Sequence, residues 1–219
     1  MSFRVVLFLL CLALPGTAAA QSLTEKLPVG RFSDGTLASW EKKVFHGETK
    51  YAFVFDPQIQ STVLQANADA SASGMFRRVN IDLSKTPFIN WSWKVTDTFQ
   101  GIDENTKGGD DFPVRIYVVV ERGILGMSSL SLNYVWASQH PVGSIWPSPF
   151  TKQVRLFALD SGRLGLNKWI RHKRNLRLDL KTAFGEEFSE IDALALMTDT
   201  DNHGGRAKSF YGDIWFSAE

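Results

Sequence analysis

The chain has 219 residues, of which 44% are hydrophobic and 21% charged, so it is long enough to bury one sizeable core. Its formal net charge is +1, from 24 basic and 23 acidic residues, and this balance argues against a nucleic-acid partner, which requires a clustered basic face. Its one cysteine, Cys11, lies in a segment that we expect to be removed, so the remaining chain has no disulfide available to it.

The first twenty residues have the pattern of a secretory signal peptide. Arg4 gives a positive start, residues 5–14 are apolar, and Ala18-Ala19-Ala20 offers small residues for cleavage before Gln21. The apolar stretch is too short to cross a bilayer as a helix. We therefore predict an exported protein, periplasmic or secreted, whose mature part is a single domain of residues 21–219 without a transmembrane anchor.

Ten short segments have the residue pattern of β-strands. They lie at residues 51–55, 61–65, 76–83, 88–95, 114–120, 130–137, 154–159, 169–173, 191–198 and 210–216. The small and polar residues 66–74 predict a surface loop between the second and third of these strands. Residues 140–150, rich in proline and aromatic residues, predict an irregular loop.

The aromatic residues divide into core and surface candidates. Trp91 and Trp93 alternate in register with the apolar residues Ile89 and Val95, which favours the core over a sugar-stacking surface. Trp146, in the irregular loop, is the better candidate for ligand contact. The alternative is that Trp146 only covers the core.

One helix is predicted, at residues 175–184. Leu176 and Leu180 recur at helical spacing, Asn175 suits the N-cap, and Gly185 stands where a left-handed residue usually ends a helix. Ten strands and one helix, without a repeat, predict an all-β fold built as an antiparallel β-sandwich.

The segment that precedes and forms the fifth strand carries the clearest surface signal. Apolar residues alternate along residues 114–120, so Arg115 and Tyr117 project from the opposite face, and Asp110-Asp111 precedes them. This arrangement predicts the rim of a binding surface, with Arg115 and Tyr117 in contact with a ligand.

A second acidic loop follows the ninth strand, with Asp199, Asp201 and His203. Together with Asp110 and Asp111, its aspartates are candidates for the acid and base of a hydrolytic site, and His203 is a candidate ligand contact. The alternatives are that the aspartates cap turns and that the histidine is a solvated loop residue. An EF-hand is excluded by the phenylalanine at its twelfth position, but a looser calcium site stays open.

Several blocks of the sequence resemble a family of Gram-negative proteins known as domain of unknown function 3047. They are Gly109-Asp110-Asp111-Phe112-Pro113-Val114-Arg115-Ile116-Tyr117, Asn133-Tyr134-Val135-Trp136, Arg174-Asn175, Phe184-Gly185-Glu186, Thr198-Asp199-Thr200-Asp201-Asn202 and Tyr211-Gly212-Asp213-Ile214. The resemblance spans almost the whole mature chain, and it implies a Gram-negative origin but no activity.

A weaker resemblance concerns the fold. Residues 32–40 at the start, Phe-Ser-Asp-Gly-Thr-Leu-Ala-Ser-Trp, and the late Tyr-Gly-Asp-Ile strand are similar to galactose-binding-like jelly-roll modules that bind carbohydrate. In such modules an early acidic residue and a late aspartate often share a structural calcium ion. The resemblance implies Asp34 and Asp213 as metal ligands and calcium as the cofactor.

Two functions are compatible with these patterns. The first is a binding module for a glycan or another cell-envelope molecule. The second is a polysaccharide-cleaving enzyme that uses paired aspartates, although no Gly-x-Ser-x-Gly motif, mature cysteine or histidine pair indicates nucleophilic catalysis. A structural scaffold without a small ligand is a third alternative.

Overall fold

The computed structural model describes residues 26–123 and 128–219. The predicted signal peptide lies outside the described residues. The described chain forms fourteen strands and one α-helix. The strands are β1 (Leu27–Gly30), β2 (Glu41–His46), β3 (Lys50–Asp56), β4 (Ser61–Asp69), β5 (Ala72–Asp82), β6 (Phe88–Val95), β7 (Arg115–Val120), β8 (Leu130–Ala137), β9 (Ile145–Pro147), β10 (Val154–Ser161), β11 (Ile170–Asn175), β12 (Glu190–Asp199), β13 (Arg206–Tyr211) and β14 (Ile214–Ser217).

The strands form two seven-stranded sheets, which confirms the predicted all-β sandwich. The first sheet has the order β1-β14-β6-β13-β4-β3, with β11 also paired to β6, and the second has the order β2-β5-β12-β7-β8-β10-β9. All pairs are antiparallel except β8 and β10, which are parallel. Parallel neighbours need a long crossover, and residues 138–153 provide it.

The core lies between the two sheets. Trp91 and Trp93, on β6 of the first sheet, are 1% and 0% exposed, so their predicted place in the core is confirmed. Ile116 and Val118 of β7 and Leu196 of β12, from the second sheet, belong to the same buried cluster. The alternation in each strand therefore selects which face is buried.

Helix α1 spans Leu176–Phe184 and confirms the helix prediction. The side chain of Asn175 accepts a hydrogen bond from the backbone N–H of Leu178, as an N-cap does, and Gly185 ends the helix at a φ of +79°. Leu176 and Leu180 face the core. Within the described residues, no helix combines the length and the apolar character needed to cross a membrane.

Two local predictions are wrong. Residues 66–74 are not a surface loop, because β4 continues to Asp69 and β5 begins at Ala72, and Ala66 and Ser73 are fully buried. The predicted last strand, 210–216, is two strands that break at Gly212. A Cβ atom at Gly212 would collide with the side chain of Ser92 of β6, so glycine permits the close approach of the two segments at this break.

Three short strands are absent from the sequence prediction. β1 and β9 have only a few residues each, and β2 is exposed along its whole length, so it has no alternation to reveal it. β9 lies inside residues 140–150, which were predicted to be an irregular loop, and pairs with the free edge of β10. β2 and β9 are the two edge strands of the second sheet, and β1 lies at an edge of the first sheet.

Candidate functional site

Alternation along two central strands directs a set of side chains away from the core. In β7, Ile116 and Val118 are buried, whereas Arg115 and Tyr117 lie on the outer face of the second sheet. The neighbouring strand β12 places Met197 on the same face, opposite Arg115. A groove of about 590 Å³ lies there, lined by residues of β2, β5, β7 and β12. This volume is within the usual range of ligand-binding clefts.

Aromatic side chains form much of the groove's lining. Tyr117 and Phe76 are half-buried in it, while Phe45 and Phe150 are 71% and 52% exposed. The ammonium of Lys43 lies 3.8 Å from the centre of the Phe76 ring, at cation–π distance. The lining is therefore largely apolar, with a cation on one side.

Arg115 is the centre of the groove's charged end. Its guanidinium donates to both oxygens of Asp199, with Nε 3.0 Å from Oδ1, and its Nη1 lies 3.4 Å from Oδ2 of Asp110. It also donates to the backbone carbonyl of Asp110 and lies over the ring of Phe112. The arginine that makes these contacts is only 3% exposed. The contacts join the loop before β7 to the end of β12.

The two carboxylates beside Arg115 lie in an environment that disfavours charge. Burial raises the pKa of Asp199 to about 7, although attraction to Arg115 opposes the shift. Burial also raises the pKa of Asp110, again against the guanidinium. The Oδ1 atom of Asp110 is buried and has no hydrogen-bond partner among the described residues. Buried acceptors in native proteins are usually satisfied by protein, water or a ligand.

Asp111 holds the second acidic loop against the first. Its Oδ1 accepts from the backbone and side-chain amides of Asn202 at 3.1 and 3.2 Å, and its Oδ2 accepts from the backbone N–H of His203 at 2.6 Å. One oxygen each from Asp111, Asp199 and Asp201 lies within 4.8 Å of the others. The two loops, which the sequence could not connect, therefore meet.

The loop that carries Asp110 is held in place by close packing and by hydrogen bonds of its neighbours. A Cβ atom at Gly109 would collide with the backbone of Asp103, so only glycine permits this close approach. Glu104 is buried and accepts from the backbone N–H groups of Ser138 and His140 at 2.6 and 3.0 Å. These contacts position the acidic end of the groove.

Trp146, predicted as a ligand contact, lies outside the groove. It is 6% exposed and belongs to a second apolar cluster with Phe112, Val135 and Leu156. Its ring stacks on that of His140, with 3.8 Å between the centroids. This position agrees with the alternative in which Trp146 covers buried residues.

The other predicted residues, His203, Asp34 and Asp213, also lie outside the groove. The side chain of His203 is exposed, and only its backbone N–H holds the acidic loop. Asp213 accepts from the backbone N–H and the hydroxyl of Ser33 at 2.8 and 2.5 Å. Asp34 forms an ion pair with Arg31. The calcium site at these two aspartates stays a prediction.

Sequence reasoning missed the aromatic lining outside β7. Phe76 follows the core residue Met75 in β5, so alternation within that strand would have placed it on the outer face. Phe45 and Lys43 come from the fully exposed strand β2, and Phe150 comes from a loop, so none of them carries a comparable signal.

The chain has a distant likeness to several solved structures. A family 30 carbohydrate-binding module of a cellulosomal cellulase from Clostridium thermocellum gives a TM-score of 0.48 at 13% identity, over 89% of this chain and 98% of that one. A family 11 carbohydrate-binding module from the same organism, in complex with a β-1,3-1,4-mixed-linked tetrasaccharide, gives 0.45 at 14% identity, over 90% and 97%. The xyloglucanase domain of a type three effector from Sinorhizobium fredii, in complex with cellobiose, gives 0.44 at 8% identity, over 82% and 93%.

No curated protein matches the sequence. The sequence model of one family, described as protein of unknown function (DUF3047), matches residues 38–215. The matched range includes every strand from β2 to β13 and all the groove residues named above.

Proposed function

The chain belongs to the DUF3047 family, and we propose that this member of the family binds a glycan in the groove on the outer face of its second sheet. The observation that carries the proposal is the combination of aromatic and polar groups in one open cleft. Tyr117 and Phe76 supply flat apolar surface, and Asp110, Asp201 and Asn202 supply polar atoms beside it. A sugar ring offers an apolar C–H face and a rim of hydroxyls, so it complements both kinds of surface.

The Oδ1 of Asp110, which has no hydrogen-bond partner among the described residues, supports a ligand that donates hydrogen bonds. A carboxylate oxygen only accepts, and a hydrogen bond to a charged acceptor is stronger than one between neutral groups. Sugar hydroxyls are donors of this kind. Lys43, on the other side of the groove, is a donor for hydroxyl or ring oxygens.

The surroundings of the other acids favour binding over cleavage. A carboxyl group that exchanges a proton with a substrate must come within hydrogen-bond distance of it. Asp111 is fully buried and accepts from three N–H groups, and Asp199 accepts from the Arg115 guanidinium. Of the four predicted candidates, this leaves Asp110 and Asp201, which we assign to ligand contact.

A glycan array probed with residues 21–219 tests the proposal. We expect binding to one class of glycan, with an affinity that Phe45→Ala lowers about tenfold, or ~1.4 kcal/mol, by removing an exposed ring from the groove. Phe55→Ala is the matched control, because Phe55 is 62% exposed on the edge strand β3 of the other sheet. This control should bind like the wild type.

Three outcomes would contradict a protein that only binds a glycan, and binds it in the groove. Equal losses in Phe45→Ala and Phe55→Ala would move the binding surface elsewhere. Shortened glycans in the same incubations would support the polysaccharide-cleaving alternative. The absence of any bound glycan would support a structural scaffold.

We further propose that the glycan lies in the cell envelope or beyond it. The signal-peptide pattern of residues 1–20 supports export. The full chain with a C-terminal tag, expressed in a Gram-negative host, should appear outside the cytoplasm with Gln21 as its first residue. A tagged chain that stays in the cytoplasm and keeps Met1 would contradict export.

A further inference from the structure

Four carboxylates gather at the acidic end of the groove. Asp110 and Asp111 come from the loop before β7, Asp199 ends β12, and Asp201 follows it. One oxygen each from Asp111, Asp199 and Asp201 lies within 4.8 Å of the others, a spacing that allows a single ion to touch all three. The donors are all oxygens, the type that hard cations prefer.

The cluster has more negative than positive charge. The Arg115 guanidinium pairs with Asp110 and Asp199. Asp111 and Asp201 form no ion pair within the described part of the chain, and they accept hydrogen bonds from N–H groups of Asn202 and His203. Since burying unmatched charge is costly, a cation would stabilise this arrangement.

An independent observation comes from Asp110. It is 6% exposed, it lines the groove beside Asp199 and Asp201, and its Oδ1 has no hydrogen-bond partner among the described residues. Buried acceptors in native proteins are usually satisfied by protein, water or a ligand. An unsatisfied acceptor therefore lies at the same end of the groove as the three clustered carboxylates.

We propose that Asp111, Asp199 and Asp201, with Asp110 beside them, form a binding site for a calcium ion at the end of the groove. Calcium fits better than zinc because no histidine or cysteine belongs to the cluster among the described residues. Asp201 is half-buried, so water reaches the site from the groove and completes the coordination shell. The site is distinct from the pair Asp34 and Asp213, and it does not depend on glycan binding.

Calcium alone is the probe in the first experiment. Chelator-treated residues 21–219 are melted at increasing calcium chloride, and binding heat is measured by calorimetry. We expect the melting temperature to rise by roughly 5–10 °C at a calcium concentration about one hundred times the dissociation constant. Neither a shift nor heat up to about 10 mM, above the dissociation constants of extracellular calcium modules, would overturn the proposal.

Variants locate the site. Asp201→Asn is the informative change. Asp201 is half-buried and, in the part of the chain that the structure describes, accepts only from the Asn202 amide, so the change should not unfold the protein. We expect it to weaken calcium binding at least tenfold. Asp97→Asn, at an exposed aspartate paired with Arg163, is the matched control and should bind like the wild type.

A third variant separates the two candidate calcium sites. Asp34→Asn changes an exposed carboxylate and should keep the full calcium response if the ion binds at Asp201. Loss of the response in Asp34→Asn with retention in Asp201→Asn would assign the ion to the other pair and overturn the proposal. Loss in Asp201→Asn alone supports it.

Discussion

The guanidinium of Arg115 on β7 reaches the carboxylate of Asp199 at the end of β12, with Nε 3.0 Å from Oδ1. The strands are neighbours, and Arg115 lies opposite Met197, two residues before Asp199. The side chains of Met197 and Asp199 therefore share the outer face of the sheet. This buried ion pair holds the acidic end of the groove together.

Replacing Arg115 by methionine should lower the free energy of unfolding by about 3–5 kcal/mol, since Asp199 is then buried without its counter-charge. Adding Asp199→Leu to the same chain should restore part of that loss. Urea unfolding of the wild type, both single variants and the double variant, in chelator, measures the coupling. Simple addition of the two single effects would show that the ion pair does not stabilise the fold.

The ion pair of Asp56 with Lys94 should make the free energy of unfolding depend on pH. Both side chains are buried, and burial by itself raises the pKa of Asp56. Hydrogen bonds from Lys94 and from the Gln58 N–H outweigh this effect and hold the pKa below its ordinary value. The stabilisation is therefore present above the ordinary pKa of an aspartate, about 4, and is lost as the pH falls through the lowered value.

Asp56→Asn should thus lower the free energy of unfolding by about 3 kcal/mol at pH 7, because it leaves Lys94 unpaired. The difference in free energy of unfolding between this variant and the wild type should become smaller as the pH falls below about 4. Urea unfolding across this pH range measures it, with Asp69→Asn, at an exposed ion pair with Arg206, as the control. A difference that stays constant with pH would refute the role of the Asp56 charge.

Trp146 should matter for stability and not for ligand binding. Trp146→Ala removes a buried ring that packs on Phe112 and His140, and we expect a loss of about 3–5 kcal/mol. Trp146→Phe should cost much less, because the indole Nε1 has no hydrogen-bond partner among the described residues. Calorimetric melting checks both, and a Trp146→Phe variant of wild-type stability that loses glycan binding would return Trp146 to the ligand site.

Asn175 should stabilise helix α1 through its N-cap bond. Asn175→Ala removes the acceptor of the Leu178 N–H, 3.3 Å away, and should lower the free energy of unfolding by about 1 kcal/mol. Asn175→Ser keeps an acceptor and should lose only a fraction of that. Denaturant unfolding of the three proteins distinguishes the cap from a packing effect, in which both variants would lose the same amount.

The secondary structure was predictable from the sequence wherever a periodic residue pattern determined it. Alternation around Trp91 and Trp93 selected the buried face of β6, and the same rule placed Arg115 and Tyr117 opposite the core. The cap residue Asn175 marked the start of α1. Period and capping depend on neighbours along the chain, so the sequence by itself determined the all-β class, the helix and the face of β7 that lines the groove.

Pairing between distant strands was decided only by the tertiary structure. Asp111 and Asp199 meet because β7 pairs with β12, and no local pattern encodes that register. The parallel pair of β8 and β10 and the exposed strand β2, which brings Phe45 to the groove, depend equally on contacts between remote segments. Such contacts form where the two sheets bury the largest apolar surface together, a property of the whole chain and not of any segment of it.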